Sequence, residues 1–224
     1  CPEMFSHLDS LYLRCTQTSL PDAAQRKLVK MWCEIIPRLR VKSLTLATRT
    51  NQQLVNAACQ LPNLDHLHIG WGGTKTLEPI ANCKNLTSLE IDSTPSLTGL
   101  AVLSSLKNLR KLKIENVKEA QDLSFVSGIG TLTEFGVCGS MGTDQKIDSL
   151  WPVAKLQGLE TLHLIATRIL NDGLAPIHGM PNLRELNASF YYSASEFAAL
   201  RSATPSLTSG TPFDPSGIET WCEA

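Results

Sequence analysis

Apolar residues recur along the chain in a short pattern, Leu-x-x-Leu-x-Leu, in which other apolar residues sometimes replace leucine. The last three positions alternate between apolar and polar residues, which predicts a short strand with one buried face. The clear copies start 22, 23, 23, 27 and 24 residues apart, so the chain consists of one repeated unit. Copies begin at Leu8, Val41, Leu64, Leu86, Leu109, Leu132, Leu159 and Leu183, with a decayed copy at Leu207.

A second apolar phrase lies between successive copies and predicts short helical turns on the side opposite the strands. It reads Leu77–Ile80, Leu100–Leu103, Leu123–Val126, Leu150–Val153 and Leu174–Ile177. Near the start of the chain the connection is longer, and residues 21–39 predict an amphipathic helix. Its apolar stripe would contain Leu28, Met31, Trp32, Ile35, Ile36 and Leu39. Further helices are predicted at 52–61 and 193–203.

These phrases and their spacing resemble the leucine-rich repeat family, whose units have about 20–29 residues. Over residues 4–210 the units look most similar to the internalin-type and phosphatase-regulator-type classes. The resemblance implies an α/β fold: a curved, right-handed solenoid with a parallel sheet on its concave face and short helices or 3-10 turns on its convex face. We expect one domain over residues 1–224, closed by a C-terminal cap at 211–224. The family's usual turn asparagine is replaced here, for example by Thr94 and Thr167.

Composition narrows the possible functions. The chain has 224 residues, of which 34 are leucine, and a net charge of −1. The balanced charge argues against a nucleic-acid partner or a polybasic membrane patch, and no apolar run is long enough for a membrane span. The seven cysteines are odd in number and scattered, which favours a reducing, cytoplasmic location. Known catalytic motifs are missing, so we expect no enzyme activity and no cofactor or metal.

The outward positions of the predicted strands carry varied polar residues, which suits recognition of a protein partner on the concave face. We expect a monomer or a 1:1 heterocomplex. One part of this face forms a row of histidine, acidic and lysine side chains on three successive strands, and aromatic residues near the strand exits are candidate anchors. The predicted partner-binding residues are His66, His68, Trp71, Glu90, Asp92, Lys111, Lys113, Glu115, His163, Tyr191 and Tyr192.

Other interpretations stay open at this stage. His66, His68, Glu90 and Asp92 carry the ligand types of a metal site, which would indicate a metal-dependent enzyme. Cys138 is a weaker candidate for a nucleophile. The chain starts at Cys1 within what looks like the tail of a repeat, so it could be the ligand-binding fragment of a larger receptor. By family analogy the partner could be a toxin neutralised by an immunity protein, a host protein met by a bacterial effector, or the substrate of a ligase adaptor.

Overall fold

The structure is a computed structural model that describes residues 7–14, 16, 19–47, 49–189 and 191–213. The chain divides into two compact units, Cys1–Leu109 and Arg110–Ala224. Both units are built from the same coil, which consists of a short parallel strand, a turn and a returning segment with an α-helix or a 3-10 helix. The predicted repeat is therefore confirmed in each unit.

In the first unit the main sheet joins β1, β2, β4 and β6 in that order, with every described pair parallel. The short strands β3 and β5 pair with each other at the strand exits. The returning segments include 3-10 helices at Ile36–Arg38, Glu78–Asn82 and Leu100–Ser105. The elements are β1 (Ser10–Leu13), α1 (Asp22–Ile35), β2 (Ser43–Leu46), β3 (Thr50–Asn51), α2 (Gln52–Ala58), β4 (His66–Ile69), β5 (Gly72–Gly73) and β6 (Ser88–Ile91).

In the second unit β8 pairs with β7 and β10, β10 also pairs with β12, and β12 pairs with β13, all in parallel. The strands β9 and β11 form a separate pair. Short 3-10 helices lie at Lys118–Gln121, Ser124–Gly128, Val153–Lys155 and Ala175–Ile177. The elements are β7 (Lys111–Glu115), β8 (Glu134–Cys138), β9 (Gln145–Ile147), β10 (Thr161–Leu164), β11 (Thr167–Ile169), β12 (Glu185–Ala188), α3 (Ala194–Ala203) and β13 (Ser209–Gly210).

The helices occur where the sequence predicts them, with shorter bounds. The α1 helix ends at Ile35 because Pro37 has no backbone N–H to continue it, and the chain goes on as a 3-10 turn. The predicted stripe is wrong at Met31, which is 42% exposed, whereas Val29 is buried. The third helix starts with a capping box formed by Ser193 and Glu196. Among the residues described, no helix combines the length and apolarity needed to cross a bilayer.

The core follows the repeat register. In the first unit Leu44 lies opposite Leu67, and Leu67 lies opposite Leu89. In the second unit Leu112, Phe135, Leu162 and Leu186 form the same kind of row. All these side chains are buried, as the alternating pattern predicts. Each coil therefore completes the apolar core of its neighbour.

Buried threonines stabilise the turns after the strands. Thr94 Oγ1 donates to the Asp92 carbonyl oxygen at 2.8 Å, and Thr167 Oγ1 donates to that of Val137 at 2.6 Å. Because a hydroxyl satisfies these backbone acceptors, the turns do not need the family's usual asparagine. Within the expected C-terminal cap, residues 214–224 lie outside the described part of the chain.

Candidate functional site

Four of the predicted residues lie on or directly after two adjacent strands of the first unit, β4 and β6. His66 pairs with Ser88 and His68 with Glu90 in the parallel register of β4 and β6. His68 Nε2 lies 2.8 Å from Asp92 Oδ2, with both side chains about one-third exposed. Glu90 is exposed beside them. A shallow depression of about 180 Å³ is lined by His66, His68 and Glu90, together with residues of β2.

The four residues of the alternative metal site do not converge. Within the described residues, no group of three or more His, Cys, Asp or Glu side chains is arranged to hold a metal ion. His66 Nε2 instead lies 3.2 Å from Asp65 Oδ2, beside its own strand. His68 Nε2 is hydrogen-bonded to Asp92 Oδ2, so these two side chains pair with each other.

Trp71 lies at the exit of β4 and is 39% exposed. The Arg49 guanidinium carbon lies 5.6 Å from the centroid of its ring, a cation–π distance. The indole therefore offers an exposed surface that is supported from one side.

In the second unit Lys111, Glu134 and His163 form a connected polar row across β7, β8 and β10. Lys111 Nζ lies 2.7 Å from Glu134 Oε2, and His163 Nε2 lies 3.5 Å from Glu134 Oε1. Partial burial raises the pKa of Glu134, but Lys111 and His163 outweigh it and hold that pKa below its usual value. Glu134 is thus a carboxylate held between two cationic or donor side chains.

His163 differs from the prediction that it is an accessible contact residue. Its side chain is only 8% exposed. The residue opposite it on β8 is Gly136, which has no side chain, and a Cβ there would already lie 3.4 Å from His163 Cβ. The imidazole therefore packs down onto the strands instead of projecting toward a partner.

The hydrogen bonds of His163 define its tautomer. Asn187 Nδ2 donates to Glu185 Oε1 at 2.8 Å, which orients the amide because a carboxylate oxygen only accepts. The same Nδ2 lies 3.2 Å from His163 Nδ1, so Nδ1 accepts and the proton is on Nε2, facing Glu134. Burial lowers the pKa of His163, although Glu134 and Glu185 oppose this shift. The neutral ring is therefore favoured.

The two predicted tyrosines have different roles. Tyr192 is buried, its hydroxyl donates to the Thr167 carbonyl oxygen at 2.8 Å, and its ring packs edge-on against Phe197. Its expected exposure is therefore wrong, because it fills the space beneath α3. Tyr191 is exposed, and its hydroxyl donates to Asp144 Oδ1 at 2.6 Å.

Lys113 and Glu115 lie on β7 opposite Gly136 and Cys138. Cys138 is buried, and burial raises the pKa of its thiol to about 11. A thiol with this pKa is almost entirely protonated at neutral pH and is a poor nucleophile. The structure therefore gives no support to the nucleophile interpretation.

Two polar residues near Tyr191, Asp144 and Arg168, are not among the residues that the sequence pattern predicts. Arg168 Nε donates to Asp144 Oδ2, and the Arg168 guanidinium carbon lies 4.1 Å from the centroid of the Tyr191 ring. The only sequence signal was the 27-residue spacing after Leu132, which indicated extra residues in that unit without giving their contacts.

Solved structures with the same fold include two internalins from Listeria monocytogenes. Internalin C2 is 23% identical with a TM-score of 0.55, and the match covers 80% of this chain and 74% of that one. Internalin F is 15% identical with a TM-score of 0.53, covering 93% and 74%. TLR13, in its complex with ssRNA13, is 18% identical with a TM-score of 0.60, covering 89% of this chain and 28% of TLR13.

At these identities the likeness establishes the fold alone. No protein-family model matches the chain, and no curated protein matches it. The structural matches and the parallel coils together show that the protein has the leucine-rich-repeat fold.

Proposed function

We propose that this protein is a non-enzymatic recognition protein that binds a protein partner through the outward-facing side of its strands. The observation that carries the proposal is the contrast between the two faces of each strand. The inward positions are almost uniformly aliphatic, whereas the register-matched outward positions carry charged and polar residues of both signs. Packing of the core does not require varied charged and polar residues on the outward face, whereas recognition of a specific partner does.

The proposed contact surface has one part in each unit. In the first unit it consists of His66, His68, Trp71, Glu90 and Asp92. In the second unit it consists of Lys111, Lys113, Glu115 and Tyr191. His163 and Tyr192 are left out as direct contacts because they are buried, and they act instead by positioning their neighbours.

The mixed charge favours a protein over a nucleic acid. TLR13 has been solved in complex with an RNA, so the fold can present an RNA-binding surface. Here the net charge is −1, and the carboxylates of Glu90 and Asp92 would repel the phosphates of a nucleic acid bound to this surface. A protein partner can place opposite charges against both acidic and basic side chains.

The test is affinity purification from the native organism with four single charge-reversal baits beside the unchanged chain. Glu90→Lys and Lys113→Glu alter the proposed surface. Glu78→Lys and Lys155→Glu are matched controls in the returning segments of the same two units, where both residues are exposed. The recovered partner is identified by mass spectrometry, which also decides among a toxin, a host protein and a ligase substrate, and is then purified for binding measurements.

We expect the surface variants to weaken binding by about tenfold or more, and the controls to leave it within about twofold. Equal binding by all four variants would show that the strand surface is not the site. Recovery of RNA instead of protein would overturn the choice of partner class.

A further inference from the structure

The coil that begins at Leu132 contains residues that its core does not need. Gly139 N donates to the Ile165 carbonyl oxygen, and Gln145 N donates to that of Ala166, each at 2.9 Å. Positions 139 and 145 therefore bond to consecutive residues of the next coil. The residues between them, 140–144, loop out of the repeat and account for its 27-residue spacing.

These extra residues form a tight hairpin. Ser140 N donates to the Thr143 carbonyl oxygen at 2.9 Å, and Thr143 N donates to that of Ser140 at 3.0 Å. Gly142 adopts a φ of 77° at the tip, which a glycine allows without strain. Beside it, Met141 is 95% exposed, the highest value among the exposed large apolar side chains described. A large apolar side chain held at a loop tip contributes nothing to the core.

Side chains from two later coils fix the base of the hairpin. Asp144 accepts hydrogen bonds from the Tyr191 hydroxyl and from Arg168 Nε, one on each carboxylate oxygen. The Arg168 guanidinium also stacks over the Tyr191 ring. The loop is therefore pre-organised, which lowers the entropy that binding would cost.

A cavity of about 480 Å³ lies beside the hairpin. Apolar atoms come from Met141, Ile165 and Tyr191, and charged groups come from Lys113, Glu115 and Asp144. Gly139, which lines the cavity, must be a glycine because neighbouring backbone packs directly against it: a Cβ there would lie 2.4 Å from the Thr143 carbonyl oxygen. Sites of about 300–1,000 Å³ with an apolar lining and a few polar groups are typical of ligand pockets.

We propose that the hairpin and its cavity are a docking site for one large apolar side chain presented by the protein partner. This inference rests on the proposed function and deepens it. An apolar centre with a rim of both charge signs has the composition of a protein-interface hot spot. Arg168 already neutralises Asp144, so Glu115 is the group that would oppose the phosphates of a nucleic acid. A protein segment can instead place a basic residue toward Glu115 and an acidic residue toward Lys113.

The first experiment measures the cavity directly in the full chain. The methionine methyl groups are labelled with ¹³C, and the protein is titrated with N-acetyl-tryptophanamide or N-acetyl-leucinamide. We expect a saturable shift of the Met141 methyl signal and no shift of the signal from Met31, which lies on α1 in the other unit. N-acetyl-glycinamide is the control without an apolar side chain. No shift at Met141, or an equal shift with the glycine compound, would overturn the proposal.

The second experiment uses the purified partner. Met141→Glu places a charge at the hairpin tip and should raise the Kd by at least about tenfold. Met31→Glu, at another exposed methionine, should change it by less than about twofold. Because Met141 is 95% exposed, its replacement leaves the fold intact.

The outcomes separate this inference from the proposed function. If the strand-surface variants weaken binding and Met141→Glu does not, the recognition function stands and the docking site is wrong. If no bait, including the unchanged chain, recovers a protein, the proposed function is overturned and this inference falls with it, whether or not the tryptophan compound binds.

Discussion

Replacement of Phe135 tests how the repeat core is built. Phe135 occupies the middle buried position of β8, where the neighbouring strands have Leu112 and Leu162, and it is fully buried. A phenylalanine side chain buries about 200 Å², which at about 25 cal/mol per Å² gives an upper value near 5 kcal/mol. Phe135→Ala should therefore lower the free energy of unfolding by about 3–5 kcal/mol.

Phe135→Leu introduces the leucine that both neighbouring strands have at this position and keeps most of the side-chain volume. It should cost less than about 1.5 kcal/mol. Phe213→Ala is the matched control, because that ring is 45% exposed and touches Arg201 through a cation–π contact. About half of that side chain is buried, so by the same area argument its loss should cost at most about 2.5 kcal/mol, less than the loss of Phe135.

The assay is urea unfolding of the full chain, followed by circular dichroism and by tryptophan fluorescence. The two probes check that the transition is cooperative. If Phe135→Ala and Phe213→Ala shift the urea midpoint equally, the buried apolar positions of the repeat pattern do not stabilise this fold more than exposed positions do, which would refute the prediction.

Three further predictions follow from single contacts. Because the folded chain favours neutral His163, the unfolded chain takes up more protons as the pH falls below about 6.5, so stability should drop there and rise toward pH 7–8. His163→Gln should flatten this dependence of the melting temperature, and an unchanged slope would show that another group causes it. Cys138 should resist iodoacetamide near pH 8 in the folded chain and react in urea, as mass spectrometry of its peptide would show. Gly70→Ala would bring a Cβ to 2.4 Å from the Leu46 carbonyl oxygen and should lower the free energy of unfolding, measured in urea, by about 1–3 kcal/mol. Gly73→Ala, with open space around it, should lower it by about 0.5 kcal/mol or less. Similar urea midpoints for the two variants would contradict the close approach at Gly70.

The pattern of apolar residues was sufficient to predict the coil and its buried side chains. Leu67, Leu89 and Leu112 are buried where the alternation indicates. A one-residue slip would turn every apolar side chain of a strand toward solvent, so burial of one face determines the register. The returning phrases form 3-10 helices for the same reason, because their apolar residues must reach the core.

The roles of the outward residues needed the structure. The sequence placed His163 and Tyr192 among the contact residues, but Gly136 lets the imidazole pack down, and α3 covers the tyrosine. The position of a residue in the repeat pattern predicts on which face of the strand its side chain lies. It does not show how far neighbouring side chains close over it.

The hairpin at 140–143 shows most clearly what the sequence predicts and what only the tertiary structure shows. Its length could be read from the 27-residue spacing, since extra residues must leave the repeat somewhere. The hydrogen bonds that fix its base join Asp144 to Tyr191, 47 residues away, and to Arg168. The sequence by itself determined the coil, because each coil repeats one local pattern of burial. Only the tertiary structure decided the site, because its contacts join residues from different coils whose distances depend on register, side-chain rotamers and the space that small residues leave.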